Sequence, residues 1–194
     1  MKSSNLRAGA VLACTLALTA CGGGDDGQLA IGGSFSGVTK TGLVLTNNGG
    51  SDYAVVPTTS GVGNWFFPNL VETDSKYNVE VKSKPDNVES CQVIAPTGRA
   101  VFSTNRVDVA CTFKKHDLGG SVANLKGELV LVNGADKVTI PAGATSFAMA
   151  KVPQDGVYGI AILTQPAGQT CTIANASGTM GAAAINNVAV TCTP

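Results

Sequence analysis

Histidine is almost missing from this chain of 194 residues; His116 is the only one. No second histidine exists to complete a metal site or a catalytic constellation with it, and no G-x-S-x-G elbow occurs. Charge is also scarce, with only 13% of residues Asp, Glu, Lys or Arg. The acids (Glu72, Asp74, Glu80, Asp86, Glu89, Asp108, Glu128, Asp136, Asp155) never fall into a D-x-D-x-D-G calcium loop. The basic residues do not cluster into the surface that nucleic acid needs. No apolar run reaches the roughly 20 residues required to span a bilayer as a helix. These shortages leave no pattern for an enzyme, a cofactor, a metal or a nucleic-acid partner.

Glycine, by contrast, is abundant at 24 residues, and β-branched residues are frequent. The strongest signal is an internal repeat. "IGGSFSGVTKTGLVLTNNG" (31–49) matches "LGGSVANLKGELVLVNGA" (118–135). "GNWFFPNLVETDSKYNVEV" (63–81) aligns without a gap on "ATSFAMAKVPQDGVYGIAI" (144–162), at an offset of 81. "SCQVIAPTGRAVFSTNRVDVACT" (90–112) faces "TCTIANASGTMGAAAINNVAVTCT" (170–193). Each copy is about 80 residues, small for a domain but large enough to close its own core.

Within each copy the period is two, as strands require. Leu43 and Leu45 flank Val44, and "NNGG" (47–50) turns the chain into Tyr53 to Val56. Tyr77, Val79 and Val81 share one face; Tyr158, Ile160 and Ile162 repeat it, and Val107 and Val109 match Val188 and Val190. The expected fold is all-β: two tandem Greek-key β-sandwich domains after an N-terminal helical signal peptide. The arrangement resembles the sandwiches of bacterial surface modules, of the prealbumin-like or immunoglobulin-like type. That resemblance implies a fold, because its motifs are generic. The expected segments are 1–20 signal peptide, 21–28 flexible tether, 29–113 first repeat, 114–117 linker and 118–194 second repeat. The linker "KKHD" would hold His116 in solvent. The Gly-Gly pairs at 32–33 and 119–120 start strands, with no helix following to cradle a phosphate. Asp74 and Asp155 occupy equivalent places before the tyrosines; a turn role is expected for them, with calcium binding as the open alternative.

The N-terminus carries its own pattern. Lys2 and Arg7 precede an apolar stretch from Ala8 to Ala20, which suits the h-region of a secretory signal. Leu18-Thr19-Ala20-Cys21 follows, and resembles the lipobox of bacterial lipoproteins. The resemblance implies cleavage before Cys21 and a lipid on its thiol. Val11-Leu12-Ala13-Cys14 fits more loosely, with an h-region of about six residues, short of the usual range. Gly22 in place of an aspartate implies outer-membrane sorting, with the periplasmic or surface face open. "GGGDDGQ" (22–28) cannot bury anything and reads as a tether. Loss of residues 1–20 removes two bases and no acid, leaving a formal charge of −2.

Four cysteines then remain: Cys91, Cys111, Cys171 and Cys192. They allow three pairings. A bond that lets each copy fold alone must join Cys91 to Cys111 and Cys171 to Cys192, and secretion supplies the oxidising compartment. Spacings of 20 and 21 fit neither a four-thiolate metal site nor a redox pair.

One difference between the copies suggests a binding surface. In the gapless alignment Phe66 matches Phe147 and points inward, which turns Trp65 and Phe67 outward, where the second copy has Ser146 and Ala148. Trp65 and Phe67 are thus a candidate contact surface, either for packing against a loop or the other domain, or for an envelope protein or glycan. The function expected from all this is a non-enzymatic, lipid-anchored envelope protein, a spacer, adhesion or binding module held to the membrane through Cys21. The alternative is an accessory sugar- or peptide-binding subunit of an envelope enzyme or transport complex. The loops are small and neutral ("NNGG", "PTTSGVG", "NASG"), which favours the first.

Overall fold

A computed structural model describes residues 27–50 and 52–194. The signal peptide, Cys14, Cys21 and nearly all of the tether lie outside the described residues.

Eighteen strands are found among the described residues, and no α-helix. The first copy contains β1 (Gln28–Leu29), β2 (Gly32–Ser36), β3 (Val44–Asn47), β4 (Tyr53–Ala54), β5 (Gly63–Phe66), β6 (Val71–Glu72), β7 (Lys76–Ser83), β8 (Val88–Ile94), β9 (Thr97–Arg99) and β10 (Asp108–Phe113). The second contains β11 (Lys115–Ala123), β12 (Leu129–Asn133), β13 (Asp136–Ile140), β14 (Ser146–Pro153), β15 (Val157–Thr164), β16 (Thr170–Ala174), β17 (Ser177–Thr179) and β18 (Ile185–Thr193).

Each copy builds two four-stranded sheets in matching order. They are β5-β2-β10-β8 over β4-β3-β7-β9 in the first, and β14-β11-β18-β16 over β13-β12-β15-β17 in the second. Alternation sends one side chain in two between the sheets. Phe35, Trp65 and Val109 from one sheet meet Leu45 and Val79 from the other. In the second copy Phe147, Val188 and Val190 meet Leu131 and Ile160. The two cores share no residue. The chain is therefore two β-sandwiches, each closed around its own interior.

In each copy the first long strand and the last pair in parallel, β2 with β10 and β11 with β18. The close approach this demands explains the Gly-Gly pairs. A Cβ on Gly33 would lie 1.9 Å from the Val107 carbonyl oxygen, and one on Gly120 would lie 1.8 Å from that of Val188. No side chain fits there. Because β10 runs the same way as β2, the chain leaves the first sandwich at the end opposite to the one it enters.

The junction is shorter than the sequence suggests. Residues 115–117, expected in the linker, open β11, where Lys115 pairs with Pro153 and His116 with Val152. Only Lys114 separates β10 from β11, and its backbone is held on both sides. Its N–H donates to the Asn87 carbonyl at 3.0 Å, and its own carbonyl accepts the Gln154 N–H at 2.8 Å. The same bond begins the first copy, where the Thr73 N–H reaches the Gly27 carbonyl at 2.6 Å. Gln28, expected in the tether, is correspondingly already in β1, opposite Glu72.

Candidate functional site

The aromatic pair expected on the surface is in the core. Trp65 is 1% exposed and Phe67 7%, whereas Phe66, expected inward, is 47% exposed. Trp65 packs edge-on against Phe67, with ring centroids 5.1 Å apart, and Tyr53 lies 6.2 Å and 5.8 Å from the two rings. The indole N–H donates to the Ser34 carbonyl at 3.2 Å, so its one polar group is satisfied.

A single inserted residue explains the error. Trp65 pairs with Gly33 and Phe147 pairs with Gly120, so Trp65, and not Phe66, is the counterpart of Phe147. Asp74 and Asp155 still match at an offset of 81, so the first copy holds one extra residue between its aromatic strand and that aspartate. Pro68 stands at the break. It has no N–H for a ladder, and it divides into β5 and β6 what the second copy keeps as the continuous β14. A one-residue slip exchanges the two faces of a strand. Burial would have supplied the missing signal: Trp65 and Phe67 inward remove two large rings from water, against one for Phe66.

The cysteines form Cys91–Cys111 and Cys171–Cys192, with Cα atoms 4.0 Å and 3.9 Å apart. Each pair lies directly opposite across the outermost two strands of one sheet, β8 with β10 and β16 with β18. The chain between them crosses to the other sheet to form β9 or β17. Each bond therefore closes a loop that threads both layers.

The aspartates before the tyrosines hold turn positions with positive φ, 67° at Asp74 and 66° at Asp155. Their N–H groups donate to the carbonyls of Ala100 and Met180. Asp74 pairs with Arg99 at 2.5 Å. The second copy has Thr179 in place of that arginine, and Asp155 instead meets Lys40 of the first sandwich at 2.8 Å. Both are turn residues with a cationic partner. His116 is half-buried in β11, 3.4 Å from the Gln154 side-chain oxygen. Among the described residues no group of three or more His, Cys, Asp or Glu side chains converges.

One carboxylate is perturbed. Asp108 accepts the Ser34 N–H at 2.9 Å and its hydroxyl at 2.8 Å. The backbone bond first, and then the hydroxyl, hold its pKa below the ordinary carboxylate value. Among the described residues, a depression lined by Asn47, Phe67, Asn69, Leu70 and Val71 encloses about 100 Å³. Small-molecule sites are typically about 300–1,000 Å³.

What the geometry does set apart is one end of the first sandwich. Phe66 at the end of β5, Ile94 at the end of β8, Leu70, Val101 and Phe102 are all exposed, Phe102 at 64%. The topology places them at the end where the chain enters, Phe66 and Ile94 on the two opposite edge strands of one sheet. Phe66 lies opposite Gly32 and Ile94 opposite Asp108 at the start of β10. Ser103, next to Phe102, accepts the Ala30 N–H at 3.0 Å. Sequence reasoning missed this shared end because its members come from four separate segments.

No family profile matches the sequence, and no curated protein matches it. Among solved structures, the chain is similar to the Bacillus anthracis TIE protein, with 12% identity, 85% of this chain and 34% of that one covered, and a TM-score of 0.43. It thus spans about a third of that protein's length. It is also similar to a major pilin protein of Streptococcus pyogenes (11% identity, 86% and 98% covered, TM-score 0.34). A third likeness is to a C-terminal fragment of the pilus adhesin SpaC of Lactobacillus rhamnosus GG (10%, 85% and 96%, TM-score 0.38). These are distant similarities. The chain's own strand pairing defines it as a tandem β-sandwich protein.

Proposed function

We propose that this protein is a non-enzymatic, lipid-anchored spacer of the bacterial envelope. Cys21 carries the lipid, at the outer membrane as Gly22 implies, and the two sandwiches project from it end to end as a short stalk. The observation that supports this most is the junction: a single residue, Lys114, bonded through its backbone to both copies, with Lys40 and Asp155 bridging beside it. A flexible linker would need several small or polar residues free of such bonds. The shallow depression gives no support to the accessory-subunit alternative.

Two measurements test the reading. Acyl labelling should be lost in Cys21→Ser and kept in Cys14→Ser; the reverse moves the anchor upstream. Small-angle scattering from residues 27–194 should describe one elongated particle, and a Gly-Ser insertion after Lys114 should broaden its distance distribution. Identical profiles for the two would mean that the junction already bends freely, and the stalk would be lost.

A further inference from the structure

Nine large apolar side chains are exposed among the described residues, and five of them, Phe66, Leu70, Ile94, Val101 and Phe102, sit at the entering end of the first sandwich. The second copy supplies a control. The pairing register matches Phe66 with Ala148 and Ile94 with Ala174. The equivalent bonds from Asp74 to Ala100 and from Asp155 to Met180 match Val101 with Gly181 and Phe102 with Ala182. The same four places of the same fold thus hold bulky apolar groups in one copy and Gly or Ala in the other, so the fold does not require them. The second sandwich leaves them uncovered, because it joins at the opposite end.

From these observations we infer that this end of the first sandwich docks onto the surface of the lipid bilayer. The inference rests on the lipid anchor proposed at Cys21. Six residues lead from Cys21 to Gly27, and six residues fully extended span at most about 20 Å. The patch is tied that close to the acyl chains, on the side of the domain that faces them. Confinement by a short tether raises its effective concentration at the membrane into the millimolar range, so a weak apolar contact suffices. Each phenyl or isobutyl group that leaves water for the acyl boundary adds to the contact in proportion to its area. Docked this way, the first sandwich has a fixed orientation, and the second is carried outward along the strand axis.

The test uses the full lipidated chain in vesicles of phosphatidylethanolamine and phosphatidylglycerol in equal parts, with or without brominated acyl chains. Trp65 is buried, so a tryptophan placed at Phe102→Trp is the accessible reporter, with Ala182→Trp as its counterpart in the second copy. The inference predicts that Phe102→Trp loses more than half of its added emission to brominated lipid while Ala182→Trp keeps its own. Equal, weak quenching of both in protein that still floats with the vesicles overturns the docking and leaves the anchor standing. Protein that fails to float overturns the anchor and the docking with it. Protection of Phe102→Trp from iodide before any lipid is added, rising with protein concentration, would assign the patch to a second copy of the chain and also overturn the inference.

Discussion

The two sandwiches share strand order, parallel closure, disulfide placement and paired glycines, and differ mainly at their entering ends. In the first copy that end carries Phe66, Ile94, Val101 and Phe102, and Asp74 is answered by Arg99 of its own domain. In the second, Ala148, Ala174, Gly181 and Ala182 stand in those places, and Asp155 reaches to Lys40 of its neighbour. What the copies share is what the sandwich needs to close. What they do not share follows what each end faces: the N-terminal segment before Gly27 in one case, another protein domain in the other.

The largest effects are expected in the cores. Trp65→Ala should cost about 3–5 kcal/mol, as for other buried aromatics, while Phe66→Ala next to it should stay within about 0.5 kcal/mol, as for an exposed side chain. Chemical denaturation of the two variants measures both; equal costs would restore the outward register for Trp65. Replacing Cys91 and Cys111 with alanine should cost about 3 kcal/mol by loop entropy, and the loss should appear in the first domain alone. Non-reducing peptide maps should show no bond between copies.

A smaller effect is expected at the turn after β8. Ala95 has φ 52°, where the second copy places Asn175 at φ 56°. The left-handed region costs an L-residue such as alanine about 1–2 kcal/mol, and asparagine tolerates it better, so Ala95→Asn should raise stability by up to about 1 kcal/mol in the same assay. The smallest concerns acid. Asp108 has a lowered pKa in the folded state, so it stabilises the first domain above its unfolded pKa, and that contribution fades as pH falls through the lower, folded value. Ala189 occupies that place in the second copy, so the first domain should lose stability in acid faster, and Ser34→Ala should narrow the gap. Unfolding followed at Trp65 across pH 2–5 checks this.

Much of the fold is legible in the sequence, for reasons that differ from place to place. Tyr77, Val79 and Val81 alternate without interruption and match Tyr158, Ile160 and Ile162 at one constant offset, so face and register follow from periodicity. The cysteine pairs follow because duplication leaves one pairing within each copy. The aromatic strand did not follow, because Pro68 accompanies an extra residue and one residue is enough to exchange inside for outside. "KKHD" reads as a linker by composition, yet Lys115 and Asp117 are the outward half of an alternation that continues into Leu118. The apolar end of the first sandwich is invisible in the chain for another reason: its members lie between residues 66 and 102 and reach one end only once the sheet order β5-β2-β10-β8 is formed.

Each copy closes around its own core. Trp65, the chain's only tryptophan, lies in the first core and reports on that core alone. Phe147→Ala, at the matching place in the second core, should lower the transition seen by circular dichroism by about 3–5 kcal/mol while leaving the transition seen by Trp65 emission where it was. A Trp65 transition displaced by the same amount would mean that the two halves unfold as one body and that neither core closes alone.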